Sequence, residues 1–185
     1  MMRFARARYS GVAIALHWLT VALVFANLTL GLSMVPLPLS PQKLQWYMWH
    51  KWIGITVFVV VALRLAWRAA RRPPPHVAMP DWQRRAADGS HFLMYVLLTL
   101  VPISGWLYSS STGIQVVYLG LLPLPDLVPK DRTLALVLKW THYGLNSALF
   151  ALVLVHVIAA LKHHFIDRDG TLARMLPVAW TRSHS

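Results

Sequence analysis

Four long apolar stretches, divided by polar and proline-bearing segments, set the pattern of this 185-residue chain. Residues 11–33 carry no charge and are long enough to cross a bilayer. Pro36, Pro38 and Pro41 then break the helix, and a second stretch runs from about Trp46 to Trp67 with an uncharged centre, Trp52 to Leu63. Lys51 and Arg64 flank that centre and must snorkel or pair for the helix to span. A basic, proline-rich connector (68–85) leads to a third stretch, about 90–109, in which Pro102 predicts a kink. Residues 110–133 form a longer loop. Its apolar part, Ile114 to Leu122, is too short to cross and is expected to lie at the interface or on the bundle. The last stretch covers about 134–161 and precedes a polar, basic tail. The expected fold is all-α: a single membrane-embedded domain over 1–185, built as a transmembrane four-helix bundle.

Composition supports that reading. The chain is 57% hydrophobic and 13% charged, with mean hydropathy +0.50, too apolar for an ordinary soluble domain. A cleavable leader is not expected, because the first apolar run is too long and no small-x-small site comes after it. The absence of cysteine excludes disulfides, iron–sulfur clusters and covalent heme attachment. Net charge is +12, but the basic residues gather in particular loops, which points to topology and anionic lipid rather than nucleic acid. The N-terminus, the connector with Arg64 and the tail hold thirteen Lys and Arg; Lys43, Lys51, Lys130, Arg132 and Lys139 are the five on the other side. By the positive-inside rule both termini are expected in the cytoplasm.

Histidines inside the spans carry the candidate chemistry. His142 and His156 lie fourteen residues apart, about four turns and roughly 21 Å of rise, nearly on one face. An intramembrane imidazole is costly without a partner. Depth supplies the partners: His17 with His156 near the cytoplasmic surface, and His50 with His142 near the outer one. Two nitrogens per site, with no carboxylate in the spans, suit a planar macrocycle held on both faces better than zinc, which wants three or four converging ligands. The plainer alternative for a single membrane histidine is a helix–helix hydrogen bond. Gly31, fourteen residues after His17, falls at the outer level, where it allows close approach of a bound ring or of a neighbouring helix. Arg64, fourteen residues after His50, falls at the inner level, where it pairs with a heme propionate or snorkels to lipid.

Several segments together resemble the bacterial diheme cytochrome b561 family. They are Ile-Ala-Leu-His-Trp-Leu (14–19), Met-Trp-His-Lys-Trp-Ile-Gly (48–54), Gly-Ser-His-Phe-Leu-Met-Tyr (89–95), Pro-Ile-Ser-Gly-Trp (102–106), Leu-Lys-Trp-Thr-His (138–142), Leu-Val-His-Val-Ile-Ala-Ala-Leu-Lys-His-His-Phe (154–165) and Asp-Gly-Thr-Leu-Ala-Arg-Met-Leu-Pro (169–177). The resemblance covers nearly the whole chain except the 110–133 loop. It implies an inner-membrane bundle with two heme b groups, iron-ligated by His17, His50, His142 and His156, that exchanges electrons with ubiquinone or another quinone. For some members it implies a one-electron partner outside, such as superoxide. His91, opening the third span, faces a propionate, a quinone carbonyl or water. His76, His163, His164 and His184 are expected to be solvated. Lys51 and Lys139, beside His50 and His142, either steer a small anion or neutralise propionates and anchor to lipid.

The expectation is therefore an electron-transfer cytochrome, possessing a superoxide:quinone oxidoreductase activity if the outer donor is superoxide. Its expected partners are membrane lipid, quinone and a small periplasmic electron donor or acceptor, not nucleic acid. One rival is a heme-bearing membrane-anchor subunit of a larger dehydrogenase or hydrogenase, for which large partner-binding loops are missing. Another is a metal-ion transporter with histidine relay sites, for which intramembrane carboxylates are missing.

Overall fold

Three of the four long helices open on a capping side chain, and the third follows a proline. In the computed structural model, which describes residues 8–177, α1 (Gly11–Met34) opens on Ser10, whose hydroxyl accepts from the Ala13 N–H at 3.3 Å. Helix α2 (Pro41–Ala70) opens on Ser40, which accepts from the Lys43 N–H at 3.2 Å, with Pro41 at the first helical position. Helix α3 (Asp81–Thr112) comes after Pro80, carries Asp81 in its first turn, and ends on Gly113 in the left-handed conformation, φ 76°. Helix α4 (Arg132–Lys162) opens on Asp131, which accepts from the Leu134 N–H at 2.7 Å.

All four helices are long and apolar enough to cross a membrane, and the protein is a multi-pass, all-α membrane protein as the hydropathy pattern predicts. Helices α2 and α3 run further than the apolar stretches. The extra turns of α3, from Asp81, come from polar helix formers closed by an Asp81–Arg84 ion pair of 2.7 Å; hydrophobicity marks the span, whereas propensity and capping set the helix. Pro102 sits within α3 without ending it.

Backbones approach closely along α1 with α2, α2 with α3, and α3 with α4. A buried cluster of Val57, Val61, Leu97, Leu98, Val101 and Leu149 fills the middle of the bundle. Much of the outer surface is apolar instead: Phe25 is 72% exposed and Leu32 69%, as lipid-facing positions require. The loop after α3 folds onto the bundle, as expected of its apolar part. It forms a small hairpin, β1 (Val117–Tyr118) with β2 (Leu122–Pro123), held by Trp52 Nε1 donating to the Val117 carbonyl at 2.7 Å. After α4 comes a π-helical turn (His163–Asp167) and a 3₁₀ turn (Leu172–Arg174). Trp18 Nε1 donates to the Met175 carbonyl at 2.8 Å, so the start of α1 and the tail share one end of the bundle.

Candidate heme centres

The fourteen-residue interval found on three helices recurs on the fourth. His17 and Gly31 on α1, His50 and Arg64 on α2, His91 and Gly105 on α3, and His142 and His156 on α4 all keep it. The helices alternate in direction, so these positions assemble into two levels. His17, Arg64, His91 and His156 form one, at the end shared by the start of α1 and the tail; Gly31, His50, Gly105 and His142 form the other. Leu149 and Val57, each seven residues from both levels, lie in the buried core between them.

At the first level, which the charge distribution leads one to expect as the inner one, the other being the outer, the rings of His17 and His156 are centred 6.5 Å apart with planes at 63°. Arg64 Nη2 lies 3.4 Å from His17 Nδ1, and its guanidinium stacks over the Tyr95 ring at 5.3 Å. The His91 ring is 5.6 Å from that of His156. At the outer level His50 and His142 are centred 6.2 Å apart with planes at 89°. The structure thus brings together the four histidines paired by depth, in the pairing that depth predicts, and sets Arg64 and His91 beside the inner pair.

Gly31 and Gly105 play matching parts at the outer level. A Cβ on Gly31 would lie 3.1 Å from His50 Cε1, and one on Gly105 would lie 3.0 Å from His142 Cε1. Each imidazole fills the notch left by the missing side chain and reaches a carbonyl one turn earlier. His50 Nδ1 is 3.1 Å from Asn27 O, and His142 Nδ1 is 3.2 Å from Val101 O and 2.9 Å from Ser104 Oγ. Gly31 therefore meets a histidine ring directly. Asn27 and Val101 are not among the residues that the sequence singles out, and Ser104 and Gly105 appear there only within the Pro-Ile-Ser-Gly-Trp segment, with no role attached. Gly105 carries one further signal, its interval from His91.

The donor set fits a bis-histidine heme. Two imidazoles that bind one metal ion from opposite sides at about 2 Å place their ring centres roughly 6 Å apart, which both pairs satisfy. At the outer level Nδ1 of each ring is engaged by the helix backbone, leaving Nε2 for iron.

Other polar groups surround these centres. A groove of about 690 Å³ between α2 and α3 is lined by Arg68, Asp88, His91, Tyr95, Thr99 and apolar neighbours. Lys139 Nζ lies over the rings of Trp140 and Tyr143 at 5.7 and 5.8 Å, and Lys51 is partly buried one residue from His50. Lys43 Nζ instead donates to the Val35 and Leu37 carbonyls at 3.3 and 2.5 Å, which commits it to the α1–α2 turn. His163 departs from expectation: it is partly buried, with Nδ1 3.2 Å from Asp167, its i+4 neighbour, and 2.7 Å from Asp169, which lies just after the left-handed Arg168 that closes the π turn. His76 is exposed and pairs with Asp88 at 3.0 Å; His164 is exposed; His184 lies outside the described residues.

Four membrane-length helices with paired histidines at two depths define a helical cytochrome of the membrane. The chain belongs to the prokaryotic cytochrome b561 family, whose signature matches residues 8–178. It is 34% identical to cytochrome b561 homolog 2 of Escherichia coli over 174 residues, 91% of each chain. It is 32% identical to cytochrome b561 homolog 1 of the same organism, over 92% of this chain and 97% of that one. It is also 30% identical to the "Probable superoxide oxidase CybB" of Yersinia pestis, over 92% of this chain and 96% of that one. Membership implies b-type heme and transmembrane electron transfer, and favours that reading over a histidine-relay transporter.

Proposed function

We propose that this protein passes electrons across the bacterial inner membrane between a one-electron partner on the periplasmic side and a quinone, through two heme b groups. His17 and His156 hold the inner heme and His50 and His142 the outer one. The observation that carries this reading is the pair of ring separations, 6.5 and 6.2 Å, at two levels fourteen residues apart. Each bound heme supplies reversible one-electron chemistry at iron. The chain's own residues set where electrons enter and leave. Two histidines held for each heme would favour electron transfer over oxygen binding.

Both termini face the cytoplasm in this reading, from the thirteen-to-five distribution of Lys and Arg. The groove at His91 then opens beside the inner level. His91 and Tyr95 can hydrogen-bond a quinone carbonyl there, while Phe92, Val96 and Leu100 line an apolar wall. Arg64 is placed to meet a propionate of the inner heme. On the outer face Lys51 and Lys139 present positive charge to a small anion. The relative from Yersinia pestis makes superoxide the first candidate.

The test is heme content. A pyridine-hemochrome assay of the purified protein should give two b hemes per chain, all extractable by acid–organic solvent. One heme or none per chain sinks the proposal, as does heme that resists extraction.

A further inference from the structure

Hydrogen bonding to the histidines differs between the two levels. Ser104 is buried, and its hydroxyl donates to the Val101 carbonyl at 2.8 Å. Its lone pairs therefore face His142 Nδ1, 2.9 Å away, which makes the ring N–H the donor. The same N–H is shared with the Val101 carbonyl, and His50 donates likewise to Asn27 O. At the inner level the polar group facing His17 Nδ1 is the Arg64 guanidinium, a donor and a cation. Among the described residues, no carbonyl or hydroxyl hydrogen-bonds to the His156 ring.

An N–H given to an oxygen makes the opposite ring nitrogen a stronger electron donor to a bound metal. A stronger donor stabilises the oxidised ion. We infer that the outer centre has the lower reduction potential of the two, and that Ser104 is a positioning residue that lowers it by fixing the Nδ1–H of His142. This rests on the two-heme reading above. It gives the direct exchange a direction: one electron leaves the outer centre, one arrives at the inner, and no proton or bond changes.

The experiment is a potentiometric titration of the purified holoprotein, monitored by its heme absorbance. The outer component is identified by its loss in His50→Ala. Wild type should show the outer component at the lower potential. Ser104→Ala leaves Val101 O as acceptor, so the outer equilibrium should shift toward reduction by roughly three- to tenfold, about 30–60 mV at about 59 mV per tenfold for one electron. The inner component should stay in place. Ser104→Thr keeps the hydroxyl and should restore the wild-type value. Ser104→Cys, a weaker acceptor, should fall between and serves if the alanine variant does not fold. The low-spin EPR signal of the outer component should change in Ser104→Ala and return in Ser104→Thr. Two hemes per chain with an outer potential unmoved by Ser104→Ala and Ser104→Cys would overturn the inference, as would an outer potential above the inner one in wild type. Fewer than two hemes in wild type would instead overturn the reading beneath it.

Discussion

Gly105 and His142 stand so close that a methyl between them would require the ring to give by a few tenths of an ångström: a Cβ on Gly105 would lie 3.0 Å from the ring's Cε1. Gly31 and His50 repeat the relationship from the opposite hairpin, at 3.1 Å. The two glycines serve one purpose, because each lets an imidazole reach the helix backbone.

Gly105→Ala should therefore push His142 off the Val101 carbonyl. Overpacking of this kind costs about 1–3 kcal/mol. We expect lowered occupancy of the outer heme with the inner one retained, and Gly31→Ala should do the same through His50. Heme-to-protein ratio and a redox titration check this; unchanged outer-heme content in both variants contradicts it.

Pairing by level gives a second expectation. His17→Ala and His156→Ala should each remove the same inner component, and His50→Ala and His142→Ala the same outer one. Potentiometric titration separates the components. If His17→Ala and His50→Ala lose the same one, the levels are misassigned.

Charge on the outer face gives a third. Lys51 and Lys139 flank the outer histidines, while Lys43 is tied to the α1–α2 turn, and Lys130 and Arg132 lie further along the loop with Asp126 and Asp131. Cations beside a buried site concentrate an anionic reactant, an effect that fades as salt rises. Reduction of the outer heme by superoxide should slow by roughly tenfold in Lys51→Gln/Lys139→Gln, and added salt should slow wild type more than the variant. Rates indifferent to both would leave these lysines neutralising propionates or anchoring to lipid.

The tail supplies a pH dependence. Burial acts to raise the Asp169 pKa, but hydrogen bonds from the Thr171 N–H, at 2.8 Å, and from His163, with the attraction of His163, outweigh it and hold the carboxyl below its usual value. A lowered folded-state pKa means stability that is fully present above the unfolded value of about 3.9 and lost as pH falls through the folded one. The segment 163–177 should stay protected at neutral pH and open under acid, as read by amide exchange. Asp169→Asn should flatten that dependence; an identical profile in the variant would remove Asp169 from the account.

The four spans are legible in the sequence because lipid imposes one rule on every exposed side chain, so hydrophobic length alone locates them. The histidine pairs are legible because a fixed rise per residue converts spacing into depth. The notch at Gly105 is only half legible. Its interval from His91 matches that of Gly31 from His17, yet a glycine near proline and serine in a membrane helix has many uses, and spacing does not say which ring it meets. Ser104 is hidden for a related reason: serines in such helices mostly bond their own backbone, as Ser110 does with Trp106 O at 3.1 Å. His163 reads as solvated in the sequence because helical periodicity, which places Asp167 four residues on beside it, does not anticipate the left-handed Arg168 (φ 50°) after the π turn, beyond which Asp169 also meets the ring.

The buried layer around Val57 and Leu149 keeps the two histidine levels about four helical turns apart, roughly 21 Å along the axis. That is about two-thirds of the roughly 30 Å hydrocarbon thickness. A charge moved between the levels thus crosses most of the insulating barrier. Each transfer is then electrical work, about two-thirds of the roughly 2.3 kcal/mol that a full crossing costs or releases per 100 mV. The resting voltage of the cell becomes a reactant in the exchange, biasing how the single electron divides between the two depths.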